Sequence, residues 1–310
     1  MLELITVAGA VAAVGTVGFV VASHTVPDRL LELGKELSRR AAGMARKHVD
    51  AAGHRIAYFE RGAGEPVVLL HGFSSNKDGW MSYARFMKGY RLIIPDLPGW
   101  ADSSYDEAER YGYPDQVARL KAFLDALAVG PVHLAGNSMG GGIAGIFAAT
   151  HPADVKSVLL MDNGAVEMPN PSGFQQAIEE TGQNALIVRS VADVDVLLDH
   201  CFHRKMRLPA VAKRIYASEG MARVDKNERI FQQLWEDWDS LEPLLSRIEA
   251  PTLVMWGRHD RIIDVSVVEA MEPKLTNART VIYDEAGHLP YMEIPARAAA
   301  DHKQLIDSAT

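Results

Sequence analysis

From residue 48 onward, short apolar runs alternate with longer stretches of helical spacing. Residues 66–70 (PVVLL) and 91–95 (RLIIP) are continuous apolar runs, as buried parallel strands require. Residues 132–135, 157–161 (SVLLM), 252–256 (TLVMW) and 280–283 (TVIY) repeat that character. Residues 54–60 alternate and end in Arg61-Gly62-Ala63-Gly64, which predicts a hairpin-like turn. Between strands, residues 115–129 carry apolar positions at helical spacing, and 140–150 (GGGIAGIFAAT) predict a helix of small residues. Alternating strands and helices imply a mostly parallel α/β sheet flanked by helices on both faces. The rhythm breaks between about 165 and 247, where helices and loops appear without a convincing strand. This insertion is expected to cap the C-terminal edge of the sheet, where open α/β sheets bind ligands. The expected core is therefore residues 49–164 and 248–310, with a helical cap at 165–247.

The N-terminus has a different pattern. Residues 4–27 contain no charged side chain. About 20 helical residues span a hydrocarbon core of roughly 30 Å, so this run predicts a transmembrane anchor within residues 1–27. Its three glycines would weaken a soluble helix but are frequent in membrane helices. Arg29, Lys35, Arg39, Arg40, Arg46 and Lys47 follow the run, while only Glu3 precedes it. The positive-inside rule then places the catalytic domain on the cytoplasmic side of a single-pass anchor. A signal peptide fits less well, because its positive n-region is missing. Residues 28–48 predict a basic amphipathic juxtamembrane helix, with Leu30, Leu31, Leu33 and Leu37 opposing Lys35, Arg39 and Arg40; its basic face would suit anionic head groups.

Composition narrows the chemistry. Of 310 residues, 32 are Lys or Arg and 40 are Asp or Glu, a net charge of −8. A nucleic-acid partner is not expected, since phosphate-tracking surfaces need positive charge. A single cysteine, Cys201, excludes intrachain disulfides and multi-cysteine zinc sites. No metal or organic cofactor is indicated.

Gly136-Asn137-Ser138-Met139-Gly140 fits G-x-S-x-G, directly after one predicted strand and before a predicted helix. That context is the nucleophile elbow, in which a serine stands on a tight, strained turn. A serine hydroxyl needs a base, and the base needs an orienting acid. His288 is the candidate base, just beyond the last predicted strand. His71 reads as structural, His133 lies within a strand, and His200 and His203 lie in the insertion. His259 is merely adjacent to the candidate acid, Asp260, which follows residues 252–256 and completes the order Ser, Asp, His. Asp264 and Asp162 are rival acids; turn formation or helix capping explains whichever of them does not serve. The oxyanion hole should use the N–H of Met139 and that of Phe73, in the loop His71-Gly72-Phe73-Ser74.

Taken together, LLHGFSSNKDGW, IIPDLPGW, GNSMGGG, WGRHDRIID and DEAGHLPYMEIP resemble an α/β-hydrolase over residues 48–310. With the N-terminal anchor, they resemble the membrane-anchored monoacylglycerol lipase branch. The resemblance implies an α/β-hydrolase fold and a serine hydrolase that cleaves monoacylglycerol or related lipid esters through an acyl-enzyme. It implies Ser138, His288 and Asp260 as catalytic residues, with Phe73 and Met139 as oxyanion donors. The sequence departs from many relatives at Pro98-Gly99-Trp100-Ala101-Asp102-Ser103, which places Trp100 at the pocket rim. Phe174, Leu197, Phe202 and Met206 of the cap are candidate substrate contacts, with Ile178, Leu186, Ile187, Leu198, Leu208 and Met221 as further candidate walls. GNSMGG also resembles the meta-cleavage-product hydrolases, which break carbon–carbon bonds in dienoic acids. That alternative calls for a cap cation, for which Arg189, Arg204, Lys205 and Arg207 are available, but leaves the anchor unexplained.

Overall fold

The computed structural model describes residues 27–309. The predicted anchor lies outside these residues. Among the described residues no helix is long and apolar enough to cross a membrane. The chain opens with α1 (Pro27–Ala41), β1 (Ala45–Ala51), β2 (His54–Arg61), β3 (Pro66–Leu70) and β4 (Arg91–Pro95). It continues with α2 (Tyr113–Ala126), β5 (Val132–Asn137), α3 (Met139–Thr150) and β6 (Val155–Met161). Four helices follow without a strand: α4 (Gly173–Thr181), α5 (Val191–Cys201), α6 (Ala210–Met221) and α7 (Val224–Glu236). The sheet resumes with β7 (Thr252–Gly257), followed by α8 (Ser266–Met271), β8 (Ala278–Tyr283) and α9 (Pro295–Ser308).

The eight strands lie in the order β1-β2-β4-β3-β5-β6-β7-β8. β1–β2 and β2–β4 are antiparallel and all other pairs are parallel. The apolar runs of β3, β4 and β5 are buried along nearly their whole length, because helices cover both faces. The turn at residues 61–64 is not a hairpin: β2 pairs with β4, and β3 lies one strand further in. The hairpin partner of β2 is β1, joined by Ala52 (φ 49°) and Gly53 (φ 75°), the left-handed pair that two-residue hairpins need. β1 (ARKHVDA) is mostly exposed, so it lacks the buried alternation that reveals a strand.

The basic helix expected over residues 28–48 is therefore shorter. It ends at Ala41 because Gly43 takes φ 69°, and Met44 N–H and Gly43 N–H bond the Arg39 and Arg40 carbonyls. This is a Schellman C-cap, which satisfies carbonyls that would otherwise be orphaned. Its facing also differs from the amphipathic expectation. Leu33 and Leu37 are exposed, whereas Ser38 and Arg39 are buried. Arg39 sets this rotation through a two-pronged ion pair with Asp78, at 2.6 and 2.7 Å. α1 also packs against α6 of the insertion. Without Asp78, Arg39 would keep its longer contacts to Glu32 and Glu36, at 3.8 and 3.9 Å, but the buried guanidinium would lose the two hydrogen-bonded acceptors of that carboxylate. Asp78→Ala should therefore lower stability by about 1–3 kcal/mol, read as a reduced urea midpoint with little change in slope.

Candidate active site

β5 runs into α3 with a single residue between them, Ser138, at φ 56° and ψ −122°. A non-glycine residue with this backbone is strained and persists only when its surroundings hold it. Here the Ser138 N–H bonds the Met161 carbonyl, and the Ser138 carbonyl accepts from Gly142 and Gly164. Gly140 lets α3 begin this close to β3: a Cβ there would lie 2.5 Å from the Leu70 oxygen and 2.6 Å from that of His71. Met139 is the first residue of α3, so its N–H has no intrahelical acceptor.

His288 is buried, and its Nδ1 lies 2.7 Å from Asp260 Oδ2. A carboxylate only accepts, so Nδ1 carries the proton and Nε2 remains a base. The second oxygen of Asp260 accepts from the Ile262 and Ile263 N–H groups at 2.7 and 3.0 Å. The imidazole-bearing loop is held from three sides. The His288 N–H bonds the Cys201 carbonyl, and Asn137 Nδ2 donates to the His288 carbonyl at 3.0 Å. Glu293 accepts from Gly287 through one oxygen and from His203 and Arg204 through the other. Burial raises the Glu293 carboxyl above the ordinary range. Asn137 and Glu293 are absent from the sequence-based candidates; the only signal was their place inside GNSMGGG and GHLPYMEIP.

All but one of the rivals lie elsewhere. Asp264 accepts from the Ser266 N–H at 2.9 Å, at the start of α8. His133 bonds Ser157 within the sheet, His200 bonds its own helix, and His203 stacks on His259. Asp162, after β6, is fully buried and sits close to both Asp260 and His288.

Two cavities meet at Ser138. The larger, of about 160 Å³, is lined by Phe73, Ser138, Leu197, Tyr216 and His288, and runs out to Lys35, Asp78 and Glu219 beneath α1. The smaller, of about 30 Å³, is apolar and includes Phe73, Met139, Phe174, Phe231, Trp235 and Trp238. Leu186 lines both. Of the predicted contacts, Phe174 and Leu197 reach these cavities. Trp100, Phe202 and Met206 are not among the linings of either. Trp100 instead packs behind Phe73, edge to face at 5.0 Å. Phe231, Leu234, Trp235 and Trp238 were missed, although their spacing of three and four residues marks one helical face in RIFQQLWEDW.

The geometry fits the comparisons with known proteins. A family model for the alpha/beta hydrolase fold matches residues 65–295, and the chain belongs to that family. Lipase 1 of Psychrobacter immobilis is 33% identical over 82% of this chain and 81% of its own. Monoacylglycerol lipase ABHD6 of Homo sapiens is 27% identical over 99% of this chain and 94% of its own. Among solved structures, a membrane phospholipase A described as a bacterial virulence factor superposes with a TM-score of 0.88. It is 37% identical, with 97% of each chain covered. A meta-cleavage product hydrolase is 23% identical at a TM-score of 0.75, a likeness of fold. The chain is a carboxylic ester hydrolase of the α/β-hydrolase family, similar to its monoacylglycerol lipase branch.

His71 fixes the loop that carries Phe73. Its Nε2 accepts from the Leu97 N–H at 3.0 Å, and its Nδ1 donates to the Gly72 carbonyl at 2.8 Å. Burial pushes this imidazole from 6.5 down to about 4. Between those values the unfolded chain binds a proton that the folded chain refuses. The associated stability is intact above about pH 6.5 and falls as the pH drops toward 4, by up to about 1.4 kcal/mol per pH unit. Urea titrations across this window should show that slope, and His71→Ala, although less stable at neutral pH, should show a shallower one.

Proposed function

We propose that Ser138, His288 and Asp260 form a catalytic triad that hydrolyses monoacylglycerol or a related lipid ester through an acyl-enzyme. One observation carries this reading: an imidazole oriented by a buried carboxylate faces the same cavity as a serine held on a strained strand–helix turn. In the proposed sequence, His288 Nε2 takes the Ser138 proton as Oγ attacks the ester carbonyl. The oxyanion is held by the N–H groups of Phe73 and Met139. His288 returns the proton to the departing alcohol, and water then releases the acid by the same steps. The small apolar arm takes acyl chain, and the larger arm, with Lys35, Asp78 and Glu219 at its outer end, takes the glycerol side.

The lipase and monoacylglycerol lipase names of the relatives support a lipid ester as substrate. A membrane phospholipase among the similar structures supports action at a membrane. The charge-free run 4–27 is then a single-pass anchor, with the catalytic domain on the cytoplasmic side. The carbon–carbon hydrolase alternative draws less support. Among the described residues, Lys35 is the one cation lining either cavity, and it is bonded to Glu32. Arg189 pairs with Glu228 and Lys205 with Asp199, outside both linings.

Ser138→Ala should lose at least about 10³-fold in kcat while keeping its fold, and a fluorophosphonate should label Ser138 alone in the parent protein. Asp260→Asn should cost about 10⁴-fold by favouring the wrong tautomer of His288, and Asp264→Asn far less. A fully active Ser138→Ala variant, or labelling of another serine, would refute the triad.

Each buried methylene is worth about 0.8 kcal/mol, so four added to a short acyl chain should raise kcat/KM by up to about two orders of magnitude. Deleting residues 1–27 should leave turnover of a soluble short ester nearly unchanged and strongly reduce hydrolysis of monoacylglycerol in vesicles. Equal loss on both substrates would make the segment part of the fold. No loss on either would remove the anchor from the mechanism and favour the carbon–carbon hydrolase.

A further inference from the structure

Asp162 is fully buried beside the proposed triad and has no role in the steps above. It follows β6 in the left-handed region, at φ 42°. Its N–H bonds the Met255 carbonyl, and its Oδ1 accepts the Gly257 N–H at 2.9 Å. These contacts fix the side chain against the end of β7, where the turn that leads to Asp260 begins. Its other oxygen, Oδ2, has no donor. One oxygen of Asp162, one of Asp260 and a ring nitrogen of His288 lie within 4.8 Å of one another.

The surroundings offer little to balance a second negative charge. The titratable groups around Asp162 are Asp260 after β7, His288, Tyr291 and Glu293 after β8, and Cys201 at the end of α5. Burial pushes the Cys201 thiol and the Tyr291 phenol up, so both are neutral. His288 is neutral at rest if it is to act as a base. Two adjacent carboxylates in such a pocket cannot both ionise, so one holds a proton. Asp260 receives three donors: two backbone N–H groups and the imidazole N–H. Asp162 receives one. The charge therefore belongs on Asp260.

We infer that Asp162 is a positioning residue that stays a neutral carboxylic acid and donates its Oδ2–H to the Asp260 carboxylate. This assignment rests on the triad reading and deepens it. Burial, and next the charge of Asp260, hold the Asp162 carboxyl well above the usual carboxylate range, in agreement with the geometry. The proton gives Oδ2 an acceptor and caps Asp260 from the side away from its backbone donors. It also sets the charge of the site. The imidazolium formed during catalysis meets one net negative charge rather than two. With two, His288 would keep its proton to higher pH and fail as a base near neutrality.

The test is the acid limb of the pH profile of kcat/KM on a soluble short ester, for the full chain and two variants. Asp162→Asn keeps an acceptor for Gly257 and an N–H for Asp260. Its limb should stay within about half a pH unit of the parent, with a kcat loss below about tenfold. Asp162→Ala removes the donor and leaves Asp260 more basic. Its limb should move up, and kcat should fall by about a further tenfold or more. Infrared spectroscopy with carboxyl-labelled aspartate should show a protonated-acid carbonyl band near neutral pH that is absent from Asp162→Asn. Where Asp162→Ala does not fold, the parent and the Asn variant still decide the question. A limb that drops by about 1 to 3 units in Asp162→Asn would mean a carboxylate had been removed, overturning the proposal. So would absence of the infrared band, or inactivation by a chelator with recovery on adding a divalent cation, which would put a metal ion in place of the proton. Failure of the triad reading itself looks different: Ser138→Ala would stay active while the infrared band persisted.

Discussion

The close approach of α3 to the end of β3 governs the site. Only the absence of a Cβ at Gly140 lets the helix start within van der Waals reach of the Leu70 and His71 carbonyls. That approach forces Ser138 into a backbone conformation that it would not adopt alone, and three backbone hydrogen bonds, one each from β6, α3 and the segment after β6, hold it there. The same packing brings His71-Gly72-Phe73 alongside the serine, so one steric constraint positions both the proposed nucleophile and a proposed oxyanion donor. The first N–H of α3 has no intrahelical acceptor, as at any helix N-terminus, so the other proposed donor needs no dedicated side chain.

Around this fixed point the site is assembled from carboxylates in unlike settings. Asp260 is wrapped by backbone N–H groups and orients the imidazole. Glu293 ties the His288 loop to the end of α5, so the helices above the sheet and the base share one anchor. Asp162 has the poorest solvation of the three and the strongest reason to be neutral.

The cavity is divided rather than uniform. Its apolar arm takes Phe231, Leu234 and Trp235 from one face of α7, set against Phe174 and apolar residues of the core, and its wider arm leads outward beneath α1. α1 is thus both the continuation of the N-terminal segment and part of the wall of the route to the serine. The Arg39–Asp78 pair orients it with Ser38 and Arg39 inward and Leu33 and Leu37 outward, the reverse of a soluble amphipathic helix.

The sequence alone determined the parallel sheet, because buried strands read as unbroken apolar runs, and the strand–helix turn that carries Ser138, because G-x-S-x-G is informative when a strand precedes and a helix follows. It also ordered Ser138, Asp260 and His288 along the chain. It did not reveal β1, whose exposed edge carries no alternation, or the pairing of β2 with β4, since strand order depends on packing across the whole sheet. Wall residues were legible only in part. Phe174 and Leu186 face the cavities while Phe202 and Met206 do not, and an apolar side chain in a helical insertion has the same sequence signature whether it meets substrate or core. Asp162 shows the limit most clearly. In the sequence it is one of several aspartates that follow strands, with nothing to mark its charge. Only the folded chain, by burying it beside Asp260 and away from solvent, decides that it differs from the acid it resembles.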